Sequence, residues 1–375
     1  MKICIFHPHL NNFGGGELVA LNIAKALSKK HDVEILSSFK VNKQYLEKFF
    51  SFDLSGIDIK VSKLGSWIHK LPSLHSYKDS LEFRFLNYLN EYDLVIDTFT
   101  NGWFTYKLKC KTICYVHFPY FEQRKKGWKS ITNPILIDAE HAFKYDKIVC
   151  NSKFTQKYLQ KLINKQVDVI YPPVETSKIK KLKKENIVVT VGRFSEDKKH
   201  EIMIEAFKKL NIGSFQFHLI GSFQENNLLY SADYLKKLKR MAAGHKIFFH
   251  TNMEHNKVLE FLSKSKIYWH ARGYDETNPS QYENFGITTV EAMAAGCVPV
   301  VINKGAQPEI VQHNKNGLVW ATSAELIKYT IELIKNSEKM GKLSKEAIKS
   351  SKKYSKEKFE REVIELVNNV YLNSH

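Results

Sequence analysis

The chain has 375 residues, of which 43% are hydrophobic and 26% charged, and this length predicts two domains of ordinary size. The 24 Phe and 18 Tyr exclude a disordered chain, and five Cys without CxxC spacing exclude a disulfide framework and argue against a structural zinc site. Lys and Arg outnumber Asp and Glu by 57 to 39, a formal charge of +18 that favours polyanionic partners such as phosphorylated ligands, nucleic acid or anionic lipid. The surplus is spread along the whole chain rather than gathered in a tail.

Two features of the sequence bear on the compartment. No stretch approaches the roughly 18 consecutive apolar residues that would span a bilayer, and the N-terminus lacks the apolar run of a signal peptide. The few, scattered cysteines are typical of a reducing environment. We therefore expect a cytoplasmic protein that is either soluble or attached peripherally to the cytoplasmic face of a membrane.

The first part of the chain alternates short apolar runs with an amphipathic segment. Lys2–Phe6 predicts a strand, Leu18–Leu27 a helix and Val33–Leu36 the next strand. This order is typical of a doubly wound parallel sheet. Further strands of the same domain are predicted at Leu94–Asp97, Thr112–Val116, Lys147–Cys150 and Val167–Tyr171.

A proline pair, Pro172 and Pro173, followed by a lysine-dense stretch, predicts a hinge. Beyond it the alternation resumes, with strands predicted at Ile187–Val191, Phe215–Ile220, Lys246–Phe249, Ile267–His270 and Val298–Ile302, and an amphipathic C-terminal helix at Ser355–Leu372. We predict an α/β protein of two Rossmann-like domains that face each other across a cleft. The first comprises residues 1–170, to which the C-terminal helix at about 355–375 returns, and the second comprises residues 171–354.

Three glycines follow the first predicted strand. Gly14, Gly15 and Gly16 lie before the first helix, where backbone amides can approach a ligand and the helix N-terminus favours negative charge. Their spacing is not GxGxxG, and no acidic residue follows the second strand, so the pattern argues against a nicotinamide-binding domain. An ordinary tight turn is the alternative interpretation.

Two cationic residues follow the first strand of the second domain. Arg193 and Lys198 lie in one loop at the predicted carboxyl edge of the sheet. A guanidinium and an ammonium there suit a diphosphate leaving group, which gains charge in the transition state. A solvated charged loop is the alternative for this segment taken alone.

The segment 282–300 is the most informative part of the sequence. Glu283 precedes a short predicted helix and Glu291 lies within it. The amides of residues 285–287 form a helix N-terminus suited to a phosphate, and a carboxylate further along the helix suits the vicinal hydroxyls of a ribose.

In this setting Glu283 and Glu291 resemble the donor-binding signature of the family 4 glycosyltransferases, which are retaining enzymes of the GT-B fold. The resemblance covers nearly the whole chain, because motifs at 6–8, 14–17, 116–119, 171–173 and 192–198 also have counterparts in that family. It implies the GT-B fold and the transfer of a hexose from a nucleoside-diphosphate sugar to a hydroxyl, with retention of the anomeric configuration.

The resemblance also implies roles for individual residues. His117 would lie beside the anomeric centre and Glu283 would contact hydroxyls of the transferred sugar, which makes both candidate catalytic residues. Taken alone, His117 is more often a satisfied core histidine. Arg193 and Lys198 would hold the diphosphate, and Glu291 the ribose. The full set of implied donor-binding residues is Gly14, Gly15, Gly16, Arg193, Lys198, Asn284, Phe285, Gly286, Ile287 and Glu291.

The implied reaction is a front-face displacement in which the donor phosphate draws the acceptor proton. No carboxylate of the matched motifs is a clear covalent nucleophile, and the basic pair supplies leaving-group stabilisation that other folds obtain from a metal. No paired aspartates of the DxD type occur in these motifs. We therefore predict that neither a cofactor nor a metal is required.

The motifs at 6–8, 14–16 and 115–119 are similar to those of cytosol-facing mannosyltransferases that extend lipid-linked oligosaccharides, which favours GDP-mannose as donor and a glycan or polyprenyl-linked saccharide as acceptor. Basic and aromatic residues alternate at 107–111 and 118–129, and again around Trp67, as suits an anionic membrane surface. A solvated lysine-rich face is the alternative. The stretch 271–281 is longer than in the shortest family members and is expected to shape the sugar or acceptor pocket.

Two other classes of protein remain as alternatives. A nucleotide-sugar epimerase with the GT-B fold would need groups for base chemistry at the sugar and no acceptor. A basic nucleic-acid-binding protein would explain the charge, but it leaves Glu283, Glu291 and the glycines without a purpose, and we expect no nucleic-acid partner.

Overall fold

The computed structural model describes residues 1–12, 14–62, 87–99, 108–119, 144–177, 179–223 and 232–372. The chain divides into two compact units. Unit 1 comprises Met1–Pro173 together with Glu357–His375, and unit 2 comprises Val174–Lys356. Helices and strands are numbered over the described residues, none of which belongs to a helix long and apolar enough to cross a membrane.

Unit 1 is built on a parallel sheet. Its described strands are β1 Lys2–Phe6, β2 Asp32–Ser37, β3 Asp58–Val61, β4 Leu94–Asp97, β5 Lys111–Val116, β6 Lys147–Cys150 and β7 Asp168–Val169. They are ordered β3-β2-β1-β4-β5-β6-β7, and every neighbouring pair is parallel. Because all strands run the same way, the loops that follow β1, β2, β4 and β5 meet at one edge of the sheet.

The described helices of unit 1 contribute buried apolar residues to its core. They are α1 Gly15–Leu27, α2 Lys43–Phe50, α3 Lys153–Leu159 and the C-terminal α11 Lys356–Leu372. Phe359, Val363 and Val367 recur every four residues along α11, so they form one stripe, and all three are buried in the same core as Ile3 and Ile5 of β1. The last helix of the chain is therefore part of the core of unit 1.

Unit 2 is likewise built on a parallel sheet with helices. Its described strands are β8 Glu185–Val191, β9 Gln216–Gly221, β10 Ile247–Thr251, β11 Ser265–His270, β12 Val298–Ile302 and β13 Leu318–Trp320. They are ordered β10-β9-β8-β11-β12-β13. The described helices are α4 His200–Leu210, α5 Ala232–Ala242, α6 His255–Lys264, α7 Ile287–Ala294, α8 Gln307–Ile310, α9 Ser323–Lys335 and α10 Ser337–Ser351. Trp269 and Trp320 are fully buried and help to fill the core.

The structure confirms the predicted α/β architecture and adds four helices and strands. The sequence analysis missed α2, α3, β3 and β13. β3 is an edge strand whose residues are mostly exposed, so it has no apolar run, and β13 is only three residues long. In the central strands, by contrast, nearly every residue is buried, which makes their sequences continuously apolar.

Candidate active site

The first group of site residues lies in the loop after β8. Gly221, at the end of β9, allows this loop a close approach, because a Cβ there would lie 2.1 Å from the Gly192 carbonyl oxygen. The stem of Lys198 packs over Gly192, and the amide of Phe194 donates to the carbonyl of Ser222 at 3.1 Å. These contacts hold the half-buried Arg193 and Lys198 at the carboxyl edge of the sheet.

Glu283 is the centre of a charged cluster in unit 2. Its Oε2 lies 2.8 Å from Lys198 Nζ and 3.2 Å from His270 Nε2, and its Oε1 lies 3.7 Å from an Arg272 terminal nitrogen. Burial alone would raise the pKa of Glu283, but Lys198, Arg272 and His270 hold it well below the usual range, so the carboxylate is ionised. The backbone is held as well, because the amide of Ala306 donates to the Glu283 carbonyl at 2.9 Å.

Arg272 joins this carboxylate to a second one. Its Nε lies 3.3 Å from Asp197 Oδ2, and Ser195 Oγ donates to the other oxygen of Asp197. Burial raises the pKa of Asp197, but Lys198 and Arg272 lower it to below its usual value. Two carboxylates and the two cations Lys198 and Arg272 therefore lie within one contiguous cluster.

The sequence analysis did not identify His270 or Arg272 as site residues. His270 is the last residue of β11, Arg272 follows two residues later, and β11 pairs with β8. Polar residues at the carboxyl end of a strand beside the Arg193 loop are the signal that could have located both. Arg272 is the second residue of the stretch 271–281, and its contacts place the start of that stretch in the charged cluster.

Gly286, whose amide was predicted to bind phosphate, caps the N-terminus of helix α7. Gly286 has φ of 110°, and a Cβ there would lie 2.4 Å from Gln307 Nε2, so both the backbone conformation and the space require glycine. Gln307 donates to the Phe285 carbonyl at 3.2 Å and accepts from Thr289 Oγ1 at 2.9 Å. The Phe285 side chain is buried in the core, so its backbone is the part that a ligand can contact. Asn284 and Ile287, on either side of this turn, are half-buried.

The carboxylate of Glu291 is paired with a histidine. The residue lies on α7 with 3% exposure, and its Oε1 is 2.7 Å from Nε2 of His255, the first residue of α6. The sequence analysis missed His255, which is distant in sequence and carries no motif. The contact fixes the orientation of the carboxylate that was predicted to hold a ribose.

A second polar cluster lies in unit 1, at the carboxyl ends of β1, β4 and β5. His7 Nδ1 is 2.9 Å from Thr98 Oγ1 and its Nε2 is 3.4 Å from Glu17 Oε1, while Glu17 Oε2 accepts from the Gly14 amide at 2.6 Å. Burial would raise the pKa of Glu17, but the bond to His7 and the nearby backbone amides lower it. The first amide of the glycine turn is therefore already satisfied by the helix that it precedes.

His117 belongs to the same cluster. Its Nε2 lies 2.9 Å from the Thr98 carbonyl oxygen, which identifies Nε2 as the protonated nitrogen of the neutral ring. Burial, reinforced by His7, lowers the pKa of His117 to about 4. A Cβ placed on Gly16 would lie 3.5 Å from His117 and 3.7 Å from His7, so the third glycine of the turn packs against both rings.

Two further predictions concern metals and membranes. Across the described ranges, no group of three or more His, Cys, Asp or Glu side chains is arranged to hold a metal ion. Most of the basic and aromatic segment, including residues 120–129, and the segment around Trp67 fall outside the described residues. Of its described members, Phe118 is buried and Lys109 is exposed.

Comparison with known proteins places both units in families of one enzyme class. Residues 13–178 match the family model described as Glycosyltransferase Family 4, and residues 174–350 match the one described as Glycosyl transferases group 1. Neither family is one of epimerases or of nucleic-acid-binding proteins.

Similar proteins agree with this result. A GDP-Man:Man(3)GlcNAc(2)-PP-Dol alpha-1,2-mannosyltransferase of Dictyostelium discoideum is 21% identical, with 98% of this chain and 84% of that protein covered. The human protein of the same name is 26% identical, with 96% and 85% covered. Among solved structures, sucrose-phosphate synthase from Thermosynechococcus elongatus superposes with a TM-score of 0.78 over all of both chains at 15% identity, which shows the fold. The chain belongs to the family 4 glycosyltransferases and has their GT-B fold.

Proposed function

We propose that this protein transfers mannose from GDP-mannose to a hydroxyl of a polyprenyl-linked saccharide, with retention of the anomeric configuration and without a metal. The names of the Dictyostelium and human relatives support the donor and the lipid-linked acceptor. Both relatives are covered over more than four fifths of their length, so the likeness extends across both units.

The charged cluster around Glu283 carries the proposal. A nucleoside diphosphate that leaves a sugar gains negative charge, and cations already in place stabilise that charge without reorganisation. Lys198 and Arg272 are held there by carboxylates, and Arg193 lies on the same loop as Lys198. We assign Arg193 and Lys198 to the diphosphate, and the turn at Gly286 to a phosphate oxygen.

The state of Glu283 supports a contact with sugar hydroxyls. An ionised carboxylate can only accept hydrogen bonds, so it binds hydroxyl groups that donate to it. Its low pKa and its contacts with Lys198 and His270 make it a weak nucleophile, which agrees with a front-face displacement rather than a covalent intermediate. The cations also take the role that a divalent ion plays in other sites, which is the basis for proposing metal independence.

In unit 1 we assign His117 to the bound substrate. Because its pKa is about 4, the ring is neutral at physiological pH and offers no charge to the reaction. Its proton is committed to the Thr98 carbonyl, so the ring orientation is fixed. A neutral, oriented imidazole is suited to contact an uncharged sugar.

The proposed acceptor places the reaction at a membrane surface. A polyprenyl chain stays in the bilayer while its saccharide projects into the aqueous phase. The formal charge of +18 would attract the protein to anionic lipid, with about 1 kcal/mol gained for each basic residue close to the surface. We propose peripheral attachment on the cytoplasmic face.

The test is release of nucleoside diphosphate from a panel of GDP-, UDP- and ADP-sugars, with EDTA and with or without a polyprenyl-linked saccharide. Wild type is compared with Glu283→Ala and with Glu276→Ala, a matched control in which another lysine-paired carboxylate of the same loop is removed. We expect release from GDP-mannose that survives EDTA, increases with acceptor and is lost only in Glu283→Ala. Release only from a different nucleotide sugar would refute GDP-mannose as the donor. Loss of release with EDTA would refute metal independence, and no release from any sugar would refute the transferase activity.

A further inference from the structure

The half-buried Lys184 lies at the amino edge of the unit 2 sheet, directly before β8, and its ammonium is shared by two helices. Its Nζ donates to the carbonyls of Ser265 and Ala295, both at 2.7 Å, and to that of Leu262 at 3.4 Å. Leu262 lies in the last turn of α6, while Ser265 and Ala295 cap the C-termini of α6 and α7. An ammonium has three N–H donors, so all of them are used on backbone carbonyls.

These carbonyls are groups that a helix leaves unpaired at its end. The last four carbonyls of a helix have no partner within it, and their partial negative charge attracts a cation. Burial lowers the pKa of Lys184, so an ammonium at this position costs free energy that the bonds to the carbonyls must offset. Because α6 and α7 share one cation, the separation of their C-terminal ends is fixed.

A buried thiol reinforces the end of α6. Cys297, directly before β12, is fully buried, and its Sγ donates to the carbonyls of Leu262 at 3.1 Å and Ser265 at 3.3 Å. Both carbonyls also accept from Lys184. The end of α6 is therefore held by the chain segments that lead into β8 and β12.

A short path connects Lys184 to the carboxylate that the family resemblance assigns to the ribose. The amide of Ala295, whose carbonyl binds Lys184, donates to the carbonyl of Glu291 at 2.9 Å. His255, the first residue of α6, lies 2.7 Å from Glu291 Oε1. Helices α6 and α7 are thus joined twice, by Lys184 at their C-termini and by the pair of His255 and Glu291. Since each helix moves as a rigid unit, a shift at one contact changes the geometry at the other.

We propose that Lys184 is a positioning residue that sets the orientation of Glu291 for the donor nucleoside. The assignment rests on the proposed function and on the ribose contact implied for Glu291. Lys184 touches no substrate in this role. It fixes the ends of α6 and α7, so that His255 holds the carboxylate in one geometry, and without the ammonium the two helices shift relative to each other.

The experiment compares wild type with Lys184→Met, which keeps the length of the side chain and removes its N–H groups. Calorimetric titration gives the Kd for GDP, and initial rates give kcat and KM for GDP-mannose. The NMR shifts of the imidazole nitrogens of His255, recorded without nucleotide, report its contact with Glu291, and Glu291→Ala supplies the shifts of the broken pair. Lys246→Met is the matched control, because Lys246 also directly precedes a strand of unit 2 and donates to a backbone carbonyl, that of Gly213, at 2.7 Å.

We expect Lys184→Met to raise the Kd for GDP and the KM for GDP-mannose about tenfold, since residues of one hydrogen-bond network couple by amounts of this size. The value of kcat should change much less, because Glu291 acts in donor binding. The His255 shifts should move towards those of Glu291→Ala, and Lys184→Met should add nothing to the Kd of a Glu291→Ala protein. Lys246→Met should match wild type in every measurement.

A general loss of stability gives a different pattern. Equal losses of kcat and affinity, unchanged His255 shifts, or additive effects of Lys184→Met and Glu291→Ala on the Kd would each overturn the positioning role and leave Lys184 as a helix cap. Lys184→Gln, which removes the charge but keeps an N–H donor, is measured in parallel in case Lys184→Met does not fold. It should change the same quantities by smaller amounts, and the same outcomes overturn the proposal.

Failure of the transferase assignment is distinguishable from failure of the positioning role. A wild-type protein that neither binds GDP nor releases it from GDP-mannose loses the proposed function, and with it the nucleoside as the purpose of Lys184, even if the His255 shifts respond to Lys184→Met. Normal release by wild type, with unchanged KM and unchanged His255 shifts in Lys184→Met, retains the transferase and overturns the positioning role.

Discussion

Replacement of Glu283 by Gln should strengthen GDP binding while it weakens transfer. Lys198 Nζ lies 2.8 Å from Glu283 Oε2, so the cation assigned to the diphosphate is held by the carboxylate assigned to the sugar. Binding of a diphosphate must therefore compete with Glu283 for Lys198. Gln keeps the shape and one acceptor oxygen but removes the charge.

The contacts set the size of both effects. A hydrogen bond to a charged group contributes about 1.5–3 kcal/mol and a neutral one about 1 kcal/mol. The substitution should therefore lower the free energy needed to separate Lys198 from residue 283 by about 1 kcal/mol. That is roughly a fivefold lower Kd for GDP. The carboxylate's contact with the transferred sugar is lost at the same time, and loss of one oriented electrostatic contact in a transition state costs about 2.7 kcal/mol or more, roughly a hundredfold in kcat/KM.

The assay combines calorimetric titration of GDP with initial rates for GDP-mannose. Glu276→Gln is the matched control, because its partner Lys199, at 2.6 Å, has no assigned role in donor binding, and both values should stay at the wild-type level. Tighter GDP binding with slower transfer in Glu283→Gln is the expected pair of results. Weaker GDP binding, or transfer at the wild-type rate, would refute the competition for Lys198.

Three further predictions concern stability and donor binding. Gly221→Ala should lower the free energy of unfolding by about 2 kcal/mol in denaturant titration, because its Cβ would lie 2.1 Å from a backbone oxygen; an unchanged midpoint would contradict this. His255→Leu should raise the KM for the donor more than it lowers kcat, since the 2.7 Å contact orients Glu291, and an effect on kcat alone would disprove that role. The pKa of His117 is about 4 in the folded chain and 6.5 when unfolded, so its contribution to stability is present above pH 6.5 and is lost as the pH falls towards 4. The stability difference between wild type and His117→Asn should shrink over that range, and a constant difference would contradict the assignment.

The sequence predicts the central strands well because burial on both faces makes them continuously apolar. β1, β4, β6 and β12 begin and end at the residues that the sequence predicts. The exposed edge strand β3 carries no such run, and its formation depends on pairing with β2, a tertiary contact that no local pattern encodes.

The candidate site is predictable where one segment carries several of its residues. Glu283 and Glu291 are recognisable because glycines and a helix start surround them. His255 reaches Glu291 from a different helix, and Arg272, which is close to Glu283 in the sequence, joins it to Asp197 in the loop after β8; only the fold brings these residues together. His7 was quoted within a motif, but its contact with Glu17 requires the fold.

The measurement that tests the central claim most directly is proton NMR of the products formed from GDP-mannose and a polyprenyl-linked saccharide in the presence of EDTA. The account predicts GDP and a new α-mannosyl linkage in equal amounts, since the donor linkage is itself α. A β linkage would contradict retention, free mannose without a glycoside would contradict transfer, and a sugar nucleotide altered at one carbon would identify an epimerase instead.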